Sequence, residues 1–471
     1  MESSPLLGRT TSSHAAFKQV AARSTAYIPT LVFVLILVYV TAYQPYSNGP
    51  AIRSDGQGYH IWTFALKKWD FRFCEYAALG YAVPVDTGRC VVKWPPGVAL
   101  FRFPVMTWFV DVNNHESFSN AEHWVSLVFG AGLTLAISII GLRILKRIRL
   151  DPLESQAVVF ILVFGTGLFH YGTYDNSFSH VYSAFGSTVL VWQLFRMRER
   201  GRVKAGAWDA ALAGVVAFFM ILFRNTNVLI VLFYMVLVAS LPTSLWTKGR
   251  VLIGAGIGTA LGAAIQLSYN HYVSGHFSVS SYLGESFVWD RPMVRSVLFS
   301  FERGLFTYYP VVLFALVLGL WRRVSRVFTS ALLLLVLVYA TLYGFWQSWF
   351  LGGGFGHRGF IELVPWMLPA IGLALADIKD RVVRHWILVV AALTLFVPLQ
   401  IMVGYWRGSF PFQRIDETVY WAHLFGGLSG FYLIAAAVAL FASTYKLQSD
   451  QGLSGVEARR SLEPSSPSTV K

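Results

Sequence analysis

An all-α polytopic membrane protein, with about twelve transmembrane helices and a long first extracytoplasmic loop, is the fold class this sequence predicts. Of its 471 residues 55% are hydrophobic and 13% charged, with a mean hydropathy of +0.54, whereas a soluble domain carries about 25% charged residues. Apolar runs of spanning length recur along the chain. Its basic residues gather in short segments between those runs, as the positive-inside bias requires. That distribution also accounts for the net charge of +14 and excludes nucleic acid as a partner, because no basic domain lies outside the membrane to bind it.

The amino end, 1–26, reads as a cytosolic disordered tail carrying Arg9, Lys18 and Arg23. The apolar run 28–43 is long for a signal core and lacks a small-residue cleavage site, so it reads as a retained anchor opening a transmembrane domain over 27–443. Residues 44–123 form the extracytoplasmic loop, rich in Trp, Tyr, Phe and Pro, and pack on the membrane surface as amphipathic helices. Within that loop 96–110 is apolar but short for a span; were it to cross, every later loop would change side, and the charge count arbitrates.

A second span at 125–142 places Arg143, Lys146, Arg147 and Arg149 in the cytosol. Spans at 156–170 and 179–195 return to the basic stretch Arg196 to Lys204, and spans at 207–223 and 226–242 lead to Lys248 and Arg250. The next pairs are 250–269 with 305–320, 328–345 with 360–376, and 386–404 with 422–442, ending in a cytosolic disordered tail at 444–471. Both termini are then cytosolic.

This topology collects the polar clusters on one side. The first outer loop carries Arg53-Ser54-Asp55-Gly56-Gln57-Gly58-Tyr59-His60 and Lys93-Trp94-Pro95-Pro96-Gly97; later come Tyr174-Asp175-Asn176 with His180, Arg224, the loop from His271 to Arg303, and Gly352-Gly353-Gly354-Phe355-Gly356-His357-Arg358. Ionisable groups at membrane depth are costly and default to functional hypotheses, with structural ion pairs as the competing use. Cys74 and Cys90, both in the first outer loop, pair as a disulfide in an oxidising compartment or stay as buried thiols; pairing is worth about 3 kcal/mol in the chain-entropy model. Two cysteines without histidine spacing argue against zinc.

A first span, a long outer loop bearing Ser54-Asp55-Gly56 and Lys93-Trp94-Pro95-Pro96-Gly97, and many following helices together resemble the polyprenyl-phosphate-dependent glycosyltransferases of the GT-C fold. Gly304-Leu305-Phe306 with Pro310, and Trp346 through His357-Arg358-Gly359-Phe360, are similar to stretches of bacterial membrane proteins related to protein O-mannosyltransferases and lipid A aminoarabinose transferases. The resemblance implies a sugar moved from a polyprenyl-phosphate donor to a lipid-linked, glycan or protein acceptor. It also implies a bacterial inner membrane location with the site facing outward, or an internal eukaryotic membrane with a lumenal site. It places the acidic residue beside the acceptor at Asp55.

An inverting transfer needs one base at the attacking hydroxyl, because a lipid phosphate already leaves well. Asp55 fits that role; capping a helix that starts near Gly58, or contacting a metal or the acceptor, are the other uses open to it. Lys93, Arg224, His357 and Arg358 are the candidates to hold the departing phosphate, against snorkelling for the arginines and a structural role for the histidine. Tyr59, Asp175, His180 and Glu285 are placed as substrate contacts, with helix capping open for Asp175 and a solvated face for Glu285. The run Gly352-Gly353-Gly354 reads as a hinge for substrate entry, since no strand precedes it. One acidic loop residue serves a metal-free or a metal-assisted mechanism alike, so no cofactor is required and a divalent metal stays compatible. A secondary transporter, or a non-catalytic scaffold on the same fold, is the alternative; the lack of half-chain repetition counts against the transporter.

Overall fold

The computed structural model describes residues 34–42, 51–85, 87–112, 118–199, 206–278, 282, 284–411, 415–427 and 435. The tails expected at 1–26 and 444–471 lie outside these residues, as do 28–33 and 43 of the expected anchor, of which 34–42 is helical. Five helices among the described residues are long and apolar enough to cross a membrane: Asn120–Arg147, Leu245–Ser274, Arg323–Gly344, Arg358–Ala376 and Arg381–Trp406. Shorter apolar helices accompany them at Gly97–Met106, Pro152–Phe164, Ala207–Phe223, Asn225–Ala239 and Pro310–Trp321.

The architecture is therefore a helical membrane protein, and several of the expected spans are interrupted among the described residues. The run expected at 156–170 stops at Phe164 and resumes as Leu168–Thr173. The run expected at 305–320 is split into Leu305–Tyr308 and Pro310–Trp321, the break falling where proline has no N–H to continue the helix. The run expected at 422–442 is described only at its start, within Glu417–Phe425. Gly97–Met106 has 10 residues, a rise of about 15 Å, half the hydrocarbon core. At the core stands Ser179–Glu199, buried along most of its length, against which Asn120–Arg147 and Ala207–Phe223 pack.

Arginines expected in the cytosolic loops do more than bias orientation. Arg322 pairs with Asp377 at 2.7 Å and Arg384 with Glu154 at 2.7 Å, while Arg147 meets Glu199 and Arg196 meets Asp209. Each pair joins two successive or neighbouring helices.

The segment expected as the first outer loop is a folded platform among its described residues. Helix Asp55–Lys68 opens with an acidic residue in its first turn and closes with Lys67 and Lys68 before Trp69, which adopts the left-handed cap conformation, a charge order that suits the helix dipole. Strands Val83–Pro84 and Cys90–Val91 pair antiparallel, and Cys74 is disulfide-bonded to Cys90 across a separation of 16 residues. The platform is docked by Trp62, whose indole N–H donates to the Trp94 carbonyl at 2.8 Å, and by the Val92 N–H, which donates to Tyr269 Oη at 3.0 Å.

His60, fully buried in this platform, lies 2.9 Å from Glu122 and 3.5 Å from Arg102. Burial lowers its pKa to about 4, with the Glu122 hydrogen bond opposing the shift, so the contact with Glu122 joins a neutral imidazole N–H to a carboxylate. Because the unfolded chain binds this proton below about pH 6.5 and the folded chain only below about 4, stability is full at neutral pH and falls across that window, by about 3 kcal/mol. The melting temperature of the purified protein, followed by tryptophan fluorescence, should drop between pH 7 and 4.5, and His60→Gln should flatten the slope. An equal slope in the variant would assign the drop elsewhere.

Candidate active site

Helix Asp55–Lys68 can begin where it does because of the two glycines in its first turn. A Cβ on Gly56 would collide with the Ser177 side chain, and one on Gly58 with the Trp94 indole. Ser54 precedes them at φ 46°, ψ −131°, as an N-cap without a side-chain cap bond. A non-glycine residue there is strained, and such strain concentrates at functional sites. The helix starts at Asp55, not near Gly58, so Asp55 is not its N-cap; its carboxylate turns to the Arg358 guanidinium at 2.8 Å.

These two residues share the wall of a cavity of about 660 Å³, within the usual range for small-molecule sites. Tyr59, Lys93, Asp175, His180, Arg224 and Glu285 also line it. Of the nine non-cysteine residues singled out from the sequence, eight line one space, and they come from the platform, the turn before Ser179–Glu199 and the first residues of that helix, the residue after Ala207–Phe223, and the late loops.

His357 does not line it. Its ring is fully buried between Tyr343 and Phe360, Nε2 bonds the Trp349 carbonyl at 3.0 Å, and burial lowers its pKa to about 3. It is neutral and supports the loop from behind. Nor is the glycine run a free hinge. Tyr171 and Tyr309 both donate to the Phe355 carbonyl, at 3.1 and 2.9 Å, and Tyr405 donates to the Gly353 carbonyl at 2.9 Å. The glycines serve close approach, since a Cβ on Gly354 would press on the Tyr171 hydroxyl and the Arg358 side chain.

Each Lys and Arg lining the cavity faces a carboxylate. Beside Arg358 with Asp55, Arg53 lies 3.9 Å from Asp175, Lys93 lies 3.6 Å from Glu285, and Arg224 lies 3.4 Å from Glu362. Asp175 is not a helix cap: it holds His170 at 2.9 Å, and His170 Nδ1 accepts from the Trp406 indole at 2.9 Å. Arg53 lies over the Tyr174 ring, 4.0 Å from its centre. Glu285 accepts from the Trp346 indole at 3.1 Å, which ties the late loop to the end of Arg323–Gly344. Tyr59 Oη sits 2.8 Å from Ser179 Oγ, and burial pushes the phenol up to about 12, so it stays a neutral hydrogen-bonding group.

Sequence reasoning assigned no role to Arg53 or Glu362. Arg53 opens the very stretch that contains Asp55, and Glu362 is a lone carboxylate in an expected span, a signal that default reasoning about membrane charges would have raised. Asp290 and His276 are exposed and do not line the cavity. Among the described residues no three His, Cys, Asp or Glu side chains group as metal ligands; Asp55 and Asp175 in the cavity wall each face an arginine.

No family model matches the chain, and no curated protein matches it. The solved structures to which the chain is similar include three of one archaeal enzyme. The oligosaccharyltransferase of Archaeoglobus fulgidus tethered with an acceptor peptide containing the NVT sequon has 10% identity and a TM-score of 0.42, with 91% of this chain and 55% of that one covered. The archaeal oligosaccharyltransferase AglB of the same organism, in complex with an inhibitory peptide and a dolichol-phosphate, has 12% identity and a TM-score of 0.43, covering 92% and 56%. The apo form gives 10%, 0.42, 89% and 56%. The chain thus spans a little over half the length of the structures it matches, and a likeness at this level carries no argument about chemistry; the pocket's own residues do.

Proposed function

We propose that the chain is an integral membrane glycosyltransferase that moves a sugar from a polyprenyl-phosphate donor to a lipid-linked, glycan or protein acceptor on the extracytoplasmic side. The observation that carries this reading is the Asp55–Arg358 pair, 2.8 Å apart at the wall of one cavity of about 660 Å³. A carboxylate suits the proton of an attacking hydroxyl, and a guanidinium suits a phosphate, which it grips through two parallel N–H bonds.

Donor phosphate takes the Arg358 guanidinium and releases Asp55. The freed carboxylate accepts the acceptor's hydroxyl proton as the oxygen bonds to the anomeric carbon, and the bond from that carbon to the phosphate oxygen breaks on the opposite face. Polyprenyl phosphate departs with its negative charge held by Arg358 and Arg224, and the anomeric configuration inverts. Fixed donors in a water-poor site stabilise such charge most effectively.

Purified protein in lipid nanodiscs, given polyprenyl-phosphate sugars and a mixed membrane extract as acceptor, should release free polyprenyl phosphate and label the extract; Asp55→Asn should do neither. Equal release by the variant would sink the reading. Sidedness is tested by cysteine labelling, for which the native background is silent because both native cysteines are paired. His276→Cys, at an exposed position, should react with an impermeant maleimide on intact cells. Arg198→Cys, also exposed, should react only after permeabilisation, and the reverse pattern would invert the topology.

A further inference from the structure

Glu362 stands behind the cavity in the turn Arg358–Leu363, with the residue 1% exposed. Its Oε1 lies 3.2 Å from His180 Nδ1 and 3.4 Å from Arg224 Nε. Arg224 Nη1 in turn lies against the edge of the His180 ring, 2.9 Å from Nδ1 and 3.1 Å from Nε2, and Nη2 donates to Tyr343 Oη at 3.3 Å. Where His180 Nδ1–H donates to Glu362, Nε2 is the ring nitrogen left to accept from Arg224. Glu362 Oε2 is buried with no hydrogen-bond partner, a cost that a buried polar group carries only where something else offsets it.

Arg224 and Arg358 both line the cavity, and Arg358 is already directed by the loop that wraps it. Arg224 has a long flexible side chain entering from an extended residue at φ −159°, with nothing of that loop to hold it. We propose that Glu362 is a positioning residue, which acts with His180 to fix Arg224 as the second guanidinium of the phosphate site. The inference rests on the reading that the cavity takes a lipid phosphate. Glu362 touches no substrate. It neutralises one of two neighbouring cations and holds its fork toward the space a phosphate enters.

The test is a double-variant cycle on full-length protein in nanodiscs, reading binding of polyprenyl monophosphate against the uncharged polyprenyl alcohol. Arg224→Gln should weaken phosphate binding by about tenfold, the worth of one charge-assisted contact. Glu362→Gln, nearly isosteric, should weaken it severalfold, and the double variant should be no worse than Arg224→Gln alone, as residues acting through one another are non-additive. Additive losses would make Glu362 a structural residue and overturn the proposal. Should Glu362→Gln fail to fold, Glu362→Asp keeps the charge, and its smaller loss should likewise vanish in the Arg224→Gln background. Loss with Arg224→Gln but none with either Glu362 variant overturns the positioning role and leaves the phosphate site standing. No loss with Arg224→Gln while Arg358→Ala abolishes binding removes Arg224 from the site and the proposal with it; no loss with either arginine variant overturns the lipid-phosphate reading itself.

Discussion

Replacing Asp55 by asparagine is expected to lower sugar transfer by about 10²–10⁴-fold, the usual worth of a positioned base, while tightening the grip on lipid phosphate. The second effect follows from the ion pair. The Arg358 guanidinium faces the Asp55 carboxylate at 2.8 Å, so an incoming phosphate must displace one anion to gain another. Asparagine keeps the volume and removes the competitor, and polyprenyl monophosphate should bind about tenfold tighter. A variant that loses activity through misfolding would bind more weakly, so opposite signs in the two assays identify the base. Weakened binding together with lost transfer would mean that Asp55 shapes the site but does not act in it.

Arg358→Ala is expected to lose both properties. Transfer should fall by about 10²–10³-fold, as when one fixed donor to developing charge is removed, and phosphate binding should become undetectable where the wild type binds. Two changes coincide here: the phosphate loses its fork, and Asp55 is left without its counter-ion against the Phe178 side of the cavity, where Arg358 now lies 5.4 Å from the ring centre. Arg358→Lys separates them, since it keeps the charge for Asp55 but not the bidentate geometry. It should recover part of the binding and little of the transfer, read as donor KM and kcat in the release assay. Full activity with lysine would show that a point charge suffices.

Much of this site was legible because charge is scarce in an apolar chain. Asp55, Arg224 and Arg358 stand out for that reason, a packed first loop follows from the aromatic content of 44–123, and of the two readings open for Cys74 and Cys90 in that loop the disulfide is the one formed. The helical breaks were not legible. Hydropathy averages over a window, so the interruptions between Phe164 and Leu168, and at Tyr309, leave no trace in it. The glycine run was misread for a different reason: its flexibility is local and visible, whereas the hydroxyls that fasten it come from Tyr171, Tyr309 and Tyr405, far away in sequence. Glu362 was passed over because it sits among Phe360, Ile361, Leu363 and Val364, where a tally of apolar residues absorbs it.

The matched cations and carboxylates around the cavity bear on encounter as well as on binding. Long-range steering needs net charge, and it weakens with ionic strength as the Debye length shortens. A ring of four opposed pairs has almost no field beyond its own dimensions, so free phosphate and nucleotides in the surrounding water are not concentrated at its mouth. On the proposed reading, discrimination for a membrane-borne donor comes from lateral delivery of the lipid, and the rate of capture should be nearly indifferent to salt.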